Sequence, residues 1–183
     1  ESELDDLSAA LILNTALAIL EMGNDQEKGF PWEFTNTEFL GDQGIATLAL
    51  ALAQNRGIRE LNFGANWFRS DMAGEAIGSI LRQNTEITKL SVSGNHFRDD
   101  RASGAVEAIV NGILDAGNTL KLKELHLQRN AIGDVGAAAV AKLLSDEIVG
   151  GEHGLAVLGM GGNTISDAGA MKIGEALQSN KGL

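Results

Sequence analysis

Cysteine is absent from this chain of 183 residues, which excludes disulfide staples, thiolate-held metals and thiol nucleophiles. Tyrosine is also missing and proline occurs once, so no proline-rich linker or polyproline segment divides the chain. Basic residues are scarce, 14 against 25 acidic ones, and the net charge of −11 argues against nucleic acid and against an anionic membrane surface as partner. No apolar run reaches the 18 residues of a membrane-spanning helix, no N-x-Ser/Thr sequon occurs, and the start Glu1-Ser2-Glu3 lacks a basic signal-peptide head.

What the chain does have is repetition. Asp42, Asp71, Asp100, Asp134 and Asp167 each open one short pattern. A branched apolar residue follows six positions later, at Leu48, Ile77, Val106, Val140 and Ile173, and another four beyond that. Upstream of each Asp lies an alternating apolar step that ends in a polar residue. The first copies read Trp32-x-Phe34-x-x-Thr37 and Leu61-x-Phe63-x-x-Asn66, followed by Leu90-x-Val92-x-x-Asn95. Leu125-x-Leu127-x-x-Asn130 and Leu158-x-Met160-x-x-Asn163 complete the set. A period of two followed by a period of 3.6 predicts strand then helix in each unit. Leu61, Leu90, Leu125 and Leu158 are spaced by 29, 35 and 33 residues, the range of a solenoid.

These residues resemble the leucine-rich repeats, L-x-x-L-x-L-x-x-N, as in Ile87-Thr88-Lys89-Leu90-Ser91-Val92-Ser93-Gly94-Asn95 and Leu122-Lys123-Glu124-Leu125-His126-Leu127-Gln128-Arg129-Asn130. The long units resemble the ribonuclease-inhibitor type of repeat, also found in tropomodulins, the GTPase-activating protein for Ran and NOD-like receptors. The resemblance implies an α/β solenoid, a right-handed horseshoe arc with parallel strands on the concave side and helices on the convex side. It also implies an intracellular, cytoplasmic setting and a role in protein binding. Trp32 and Thr37 depart from the repeat pattern and mark an atypical first copy.

Residues 1–183 read as a single leucine-rich repeat domain, with residues 2–22 as a helical N-terminal cap and residues 30–183 as about five repeats. Pro31 heads the first strand of this reading, where a missing N–H does little harm. Asn180-Lys181-Gly182-Leu183 repeats Asn55-Arg56-Gly57-Ile58, which runs into the strand at Leu61. The expectation is therefore a chain excerpted from a longer one, with a C-terminal strand edge open to self-association. The Asp ladder reads as a series of helix N-caps and the Asn ladder as buried amides that satisfy the turns.

With the core positions assigned, the outward strand residues form the concave face: Glu33 and Thr35, Glu60 and Asn62, Lys89, Ser91 and Ser93, Glu124, His126 and Gln128, Val157 and Gly159. Stacking predicts a lateral ladder of Glu60, Lys89 and Glu124. It also places Ser91 beside His126, but Glu124 and His126 leave one backbone in parallel and no oxyanion donors are evident, so no catalytic residues are assigned. His96 and His153 fall in other loops, so neither a metal site nor a cofactor is expected, and Gly159-Met160-Gly161-Gly162 lacks the Lys-Ser/Thr of a phosphate loop.

The loop after the Asn ladder carries Trp67 and Arg69, then His96 and Arg98, with Arg129 one unit on. Tryptophan and arginine are enriched at binding hot spots. The bland reading has Trp67 packed on its own repeat and the arginines solvated or paired with Asp71 and Asp99. Five short strands offer roughly 200 Å² of face, against about 800 Å² per partner in a stable interface, so the loop edge is needed as well.

The function expected is a non-catalytic protein–protein interaction module. Its proposed contacts are Trp67, Arg69, Lys89, Ser91, His96, Arg98, Glu124, His126, Gln128 and Arg129. The alternatives are a regulator of a partner enzyme, such as a GTPase-activating repeat domain, and a sensor or autoinhibitory arm. Leu125, at the centre of a repeat strand, gives the first test: Leu125→Ala should lower unfolding free energy by about 2–5 kcal/mol through cavity formation, measured by urea denaturation.

Overall fold

The computed structural model describes residues 3–23, 39–100, 102–147 and 154–183. Five strands and six α-helices alternate along them. In chain order they are α1 (Glu3–Leu13), β1 (Ile19–Glu21), α2 (Gly41–Gln54), β2 (Glu60–Asn62), α3 (Asp71–Gln83) and β3 (Lys89–Ser91). Then come α4 (Ala105–Ala116), β4 (Glu124–His126), α5 (Asp134–Leu144), β5 (Val157–Gly159) and α6 (Asp167–Leu177). The strands form one parallel sheet in sequence order, β1-β2-β3-β4-β5, with Leu61, Leu90, Leu125 and Leu158 in register. Each helix returns the chain to the next strand, so the molecule is a leucine-rich repeat solenoid arc.

The start of the chain differs from the expected helical cap over residues 2–22. Helix α1 stops at Leu13, and Asn14 Oδ1 accepts hydrogen bonds from the N–H groups of Ala16 and Leu17, turning the chain into β1. Ile19, Leu20 and Glu21 then pair with Glu60, Leu61 and Asn62. Leu17-x-x-Leu20-x-Met22 is thus the described strand motif beside β2. The strand read at Trp32–Phe34, with Pro31, Glu33 and Thr35, lies outside the described residues.

The core follows the repeat. Leu61, Leu90 and Leu125 point inward from the strands, while Leu48, Ile77, Val106 and Val140 meet them from the helices, all nearly inaccessible to solvent. Phe63, Phe68 and Phe97 form a buried aromatic spine behind the loop edge, with ring centroids 6.3 and 6.2 Å apart. Where α3 and α4 cross, a Cβ on Gly112 would strike the Gly78 backbone and one on Gly78 the Ala108 backbone, so neither position has room for a side chain.

The aspartates hold neighbouring repeats together, where the sequence led us to expect local N-caps. Asp71 and Asp134 are the first residues of their own helices, which make no side-chain cap bond. Their carboxylates reach instead to the next repeat. Asp42 accepts from Arg69 N–H, Asp71 from Gly104 N–H, and Asp134 from the N–H groups of Ser166 and Gly169 as well as the Ser166 hydroxyl. In the third unit Asp99 takes this role, accepting from Gly133 and Val135 N–H, while Asp100 pairs with Arg98. The Asp71, Asp99 and Asp134 carboxylates thereby meet the positive end of the following helix, while Asp42 holds the residue just before it.

A second amide ladder lies at the other end of the helices. Asn55 Oδ1 accepts from Gly57 and Ile58 N–H while its Nδ2 donates to the Leu11 and Asn14 carbonyls. Asn180 repeats this turn with Gly182 and Leu183 and reaches back to the Leu144 carbonyl. Asn84 reaches the Leu52 carbonyl in the same way.

The bonds from Ser166 hold the Asp134 carboxyl below its ordinary range. A carboxyl whose folded-state pKa is depressed adds stability above its unfolded pKa and loses it as pH falls through the folded value. Wild type should therefore lose more stability than Asp134→Asn on going from neutral pH to about pH 3, as read by urea unfolding at both pH values.

Candidate functional site

The loop edge is built by an amide clamp. Asn95 is buried; its Oδ1 accepts from the N–H groups of Asn66 (2.8 Å) and Phe68 (3.1 Å), the residues flanking Trp67, while its Nδ2 donates to the Phe63 and Val92 carbonyls. Gripped from both sides, Trp67 adopts φ 60°, a left-handed conformation unusual for a bulky side chain. Asn163 grips Asn130 and Ile132 in the same manner and leaves Ala131 between them at φ 55°.

The third repeat breaks the pattern. Asn130 is fully buried and donates to the Val92 and Leu127 carbonyls, yet its Oδ1 has no hydrogen-bond partner. Its equivalent grip would fall on Asn95 and Phe97, on either side of His96. His96 gives its N–H to the Phe68 carbonyl of the preceding repeat at 2.8 Å, as Thr164 does to the Ile132 carbonyl. The imidazole is thereby drawn onto Trp67, edge to face, with ring centroids 5.4 Å apart.

Trp67 is the centre of the resulting cluster and is 37% exposed. Phe39 lies on its other side at 5.5 Å, and the Arg69 guanidinium is 5.8 Å from the indole centroid, within cation–π range. Burial, reinforced by Arg98 and Arg69, pushes the His96 imidazole below its ordinary value. Of the residues read from sequence, Trp67, Arg69 and His96 are brought into contact. Arg98 turns to Asp100 at 3.0 Å, and Arg129 lies against Gly162 one repeat further along. Phe39 was not singled out from the sequence, although it stands two residues after Thr37 as Phe68 and Phe97 stand two after Asn66 and Asn95.

The concave face carries a continuous polar chain. Ser93 Oγ donates to Gln128 Oε1 at 2.8 Å, Gln128 Nε2 meets His126 Nδ1 at 3.3 Å, and His126 Nε2 meets Glu124 Oε2 at 3.2 Å. Lys89 Nζ approaches the same carboxylate oxygen at 3.3 Å. Glu124 and His126 do hydrogen-bond, contrary to the expectation from their parallel departure, and the His126 bond followed by that from Lys89 holds the Glu124 carboxyl below its usual range. The expected three-residue ladder reduces to the Lys89–Glu124 pair; among the described residues no ion pair joins Glu60 to Lys89. Ser91 bonds to Ser93, and both His126 ring nitrogens are engaged, so the imidazole offers no free lone pair to activate Ser91.

A shallow groove of ≈ 260 Å³ runs over this face from Ile19 and Glu21 on β1 to His126 on β4. The β1 residues were not read as concave, because the sequence placed them in a helix. Among the described residues no group of three or more His, Asp or Glu side chains could hold a metal ion, and no helix is long and apolar enough to cross a membrane.

A family model described as a leucine rich repeat matches residues 120–141 and 155–174. No curated protein sequence matches the chain. Among solved structures, the tropomodulin C-terminal domain of Caenorhabditis elegans is similar over 97% of this chain and 92% of its own, at 12% identity and a TM-score of 0.64. A domain described as leiomodin-1 actin-binding site 2 is similar over 97% of this chain and 89% of its own, at 20% identity and a TM-score of 0.65.

The amide clamp sets a stability ranking. Asn95→Ala removes four buried hydrogen bonds, including both that flank Trp67, and should cost about 2–4 kcal/mol. Asn130→Ala abolishes an acceptor that is already unpaired and should cost about 1 kcal/mol less in the same urea unfolding experiment.

Proposed function

We propose that this chain, a leucine-rich repeat protein, is a non-catalytic module that binds a protein partner through its concave face together with the Trp67 edge. The observation that carries the reading is the broken amide ladder. An unpaired buried carbonyl at Asn130 and a left-handed Trp67 are both unfavourable, and strain of this kind collects at binding and catalytic sites. Together they mount a half-exposed aromatic group, flanked by Arg69 and His96, where the core has no use for it.

The concave polar chain fits the same role. Its side chains hold one another in fixed rotamers, so little conformational entropy remains to be lost on association. The leiomodin-1 domain of similar fold is described as an actin-binding site, which supports a macromolecular partner over a small molecule.

The test is affinity capture from lysate by the wild-type chain and by its Trp67→Ala/Arg98→Glu variant, with the retained proteins identified by mass spectrometry. A partner held by wild type and lost by a variant that unfolds at the same urea concentration is the expected result. Equal retention by both chains removes the Trp67 edge from the interface.

A further inference from the structure

We infer that the concave groove receives an extended protein segment bearing two basic side chains in alternation, basic-x-basic. This deepens the binding reading above and rests on its concave half. The two halves of the face are electrostatically unlike. On β3 and β4, Lys89, Glu124, His126, Gln128 and Ser93 satisfy one another. On β1 and β2, Glu21 and Glu60 also face the groove, and neither enters an ion pair among the described residues. The outward strand positions there hold no amine to balance them, because Lys89, the nearest one in register, is turned to Glu124.

The apolar part of the groove suits the same ligand. Ile19 lines the groove and is 51% exposed beside Glu60 in register. Arginine and lysine lay an apolar stem on such a surface while the charged head reaches a carboxylate. Glu21 and Glu60 stand on adjacent parallel strands, two positions out of register. From strand spacing and rise their Cα atoms are roughly 8 Å apart, close to the ~7 Å between alternate residues of an extended chain. Two basic residues on one side of a partner strand therefore match two carboxylates on one side of this face. The groove volume of ≈ 260 Å³ suits a few side chains of such a segment.

The probe is the peptide acetyl-Gly-Arg-Gly-Arg-Gly-amide, titrated into ¹⁵N-labelled protein, with the Glu-for-Arg peptide as its opposite. The basic peptide should shift the amides of Ile19, Glu21, Glu60 and Asn62, and the acidic peptide should not. Glu21→Gln/Glu60→Gln should weaken binding roughly tenfold, whereas Glu75→Gln/Glu107→Gln, an equal charge change on the convex helices, should alter it by less than about twofold. Glu60→Gln alone, the smaller perturbation of the sheet, should give an intermediate loss. Shifts absent from the β1–β2 amides, equal weakening by both double variants, or equal binding of the two peptides would overturn the inference. The peptide experiment does not involve Trp67. Loss of the lysate partner by Trp67→Ala/Arg98→Glu, combined with unaltered peptide binding by Glu21→Gln/Glu60→Gln, would overturn the charge inference and leave the binding reading in place.

Discussion

A repeat protein of this kind depends on side chains that reach across the boundary between one unit and the next. A three-residue strand and an 11–14-residue helix bury too little on their own to be stable. Here the boundary is tied at three levels. Strand leucines stack in register through the core, carboxylates from one repeat reach the chain at the start of the next repeat's helix, and carboxamides close the turns before the helices and, at Asn55, Asn84 and Asn180, those after them. All these donors and acceptors are backbone groups that would otherwise be left unpaired where the chain reverses direction. Neighbouring units therefore fix one another's loops, and a change in one loop has to be accommodated by the repeat beside it.

That coupling shapes the edge at Trp67, and it recurs at Ala131, where the gripped residue carries no aromatic ring. Asn95 holds the peptide groups on either side of Trp67, and the indole is forced outward. One repeat on, the grip is released, His96 turns back to the Phe68 carbonyl, and its ring closes on the indole. The outward indole follows from the Asn95 grip, and the unpaired Asn130 carbonyl marks the neighbouring loop, whose His96 ring closes on the indole. The concave face is organised differently, by side-chain hydrogen bonds within the β3–β4 half, and the unbalanced carboxylates are left at the β1–β2 half.

Much of this could be read from the sequence where a physical pattern repeats. The strands at Leu61, Leu90, Leu125 and Leu158 were legible because alternating apolar residues led to an Asn at fixed spacing in each. The strand at Ile19 was not, because it lies in an Ala- and Leu-rich run whose spacing suits a helix equally well, and eight residues after Leu17 stands Asp25 where the other units have Asn. The aspartates were visible as a ladder, but their direction was not: spacing along the chain ties a residue to its own helix, whereas these bonds depend on the stacking of repeats in space. The proximity of Trp67 and His96 followed from equivalent positions in successive units. The reversal of His96 did not, since it comes from a lost left-handed turn that no residue type announces.

Amide hydrogen exchange tests the central claim most directly, because each bond of the clamp ends on a backbone N–H. If Asn95 and Asn163 grip their neighbouring loops and Asn130 does not, the amides of Asn66, Phe68, Asn130 and Ile132 should exchange slowly, and those of Asn95 and Phe97 measurably faster despite equal burial. Equal protection at all six positions would mean that the ladder is unbroken, and that the Trp67 edge has no special origin in the repeat.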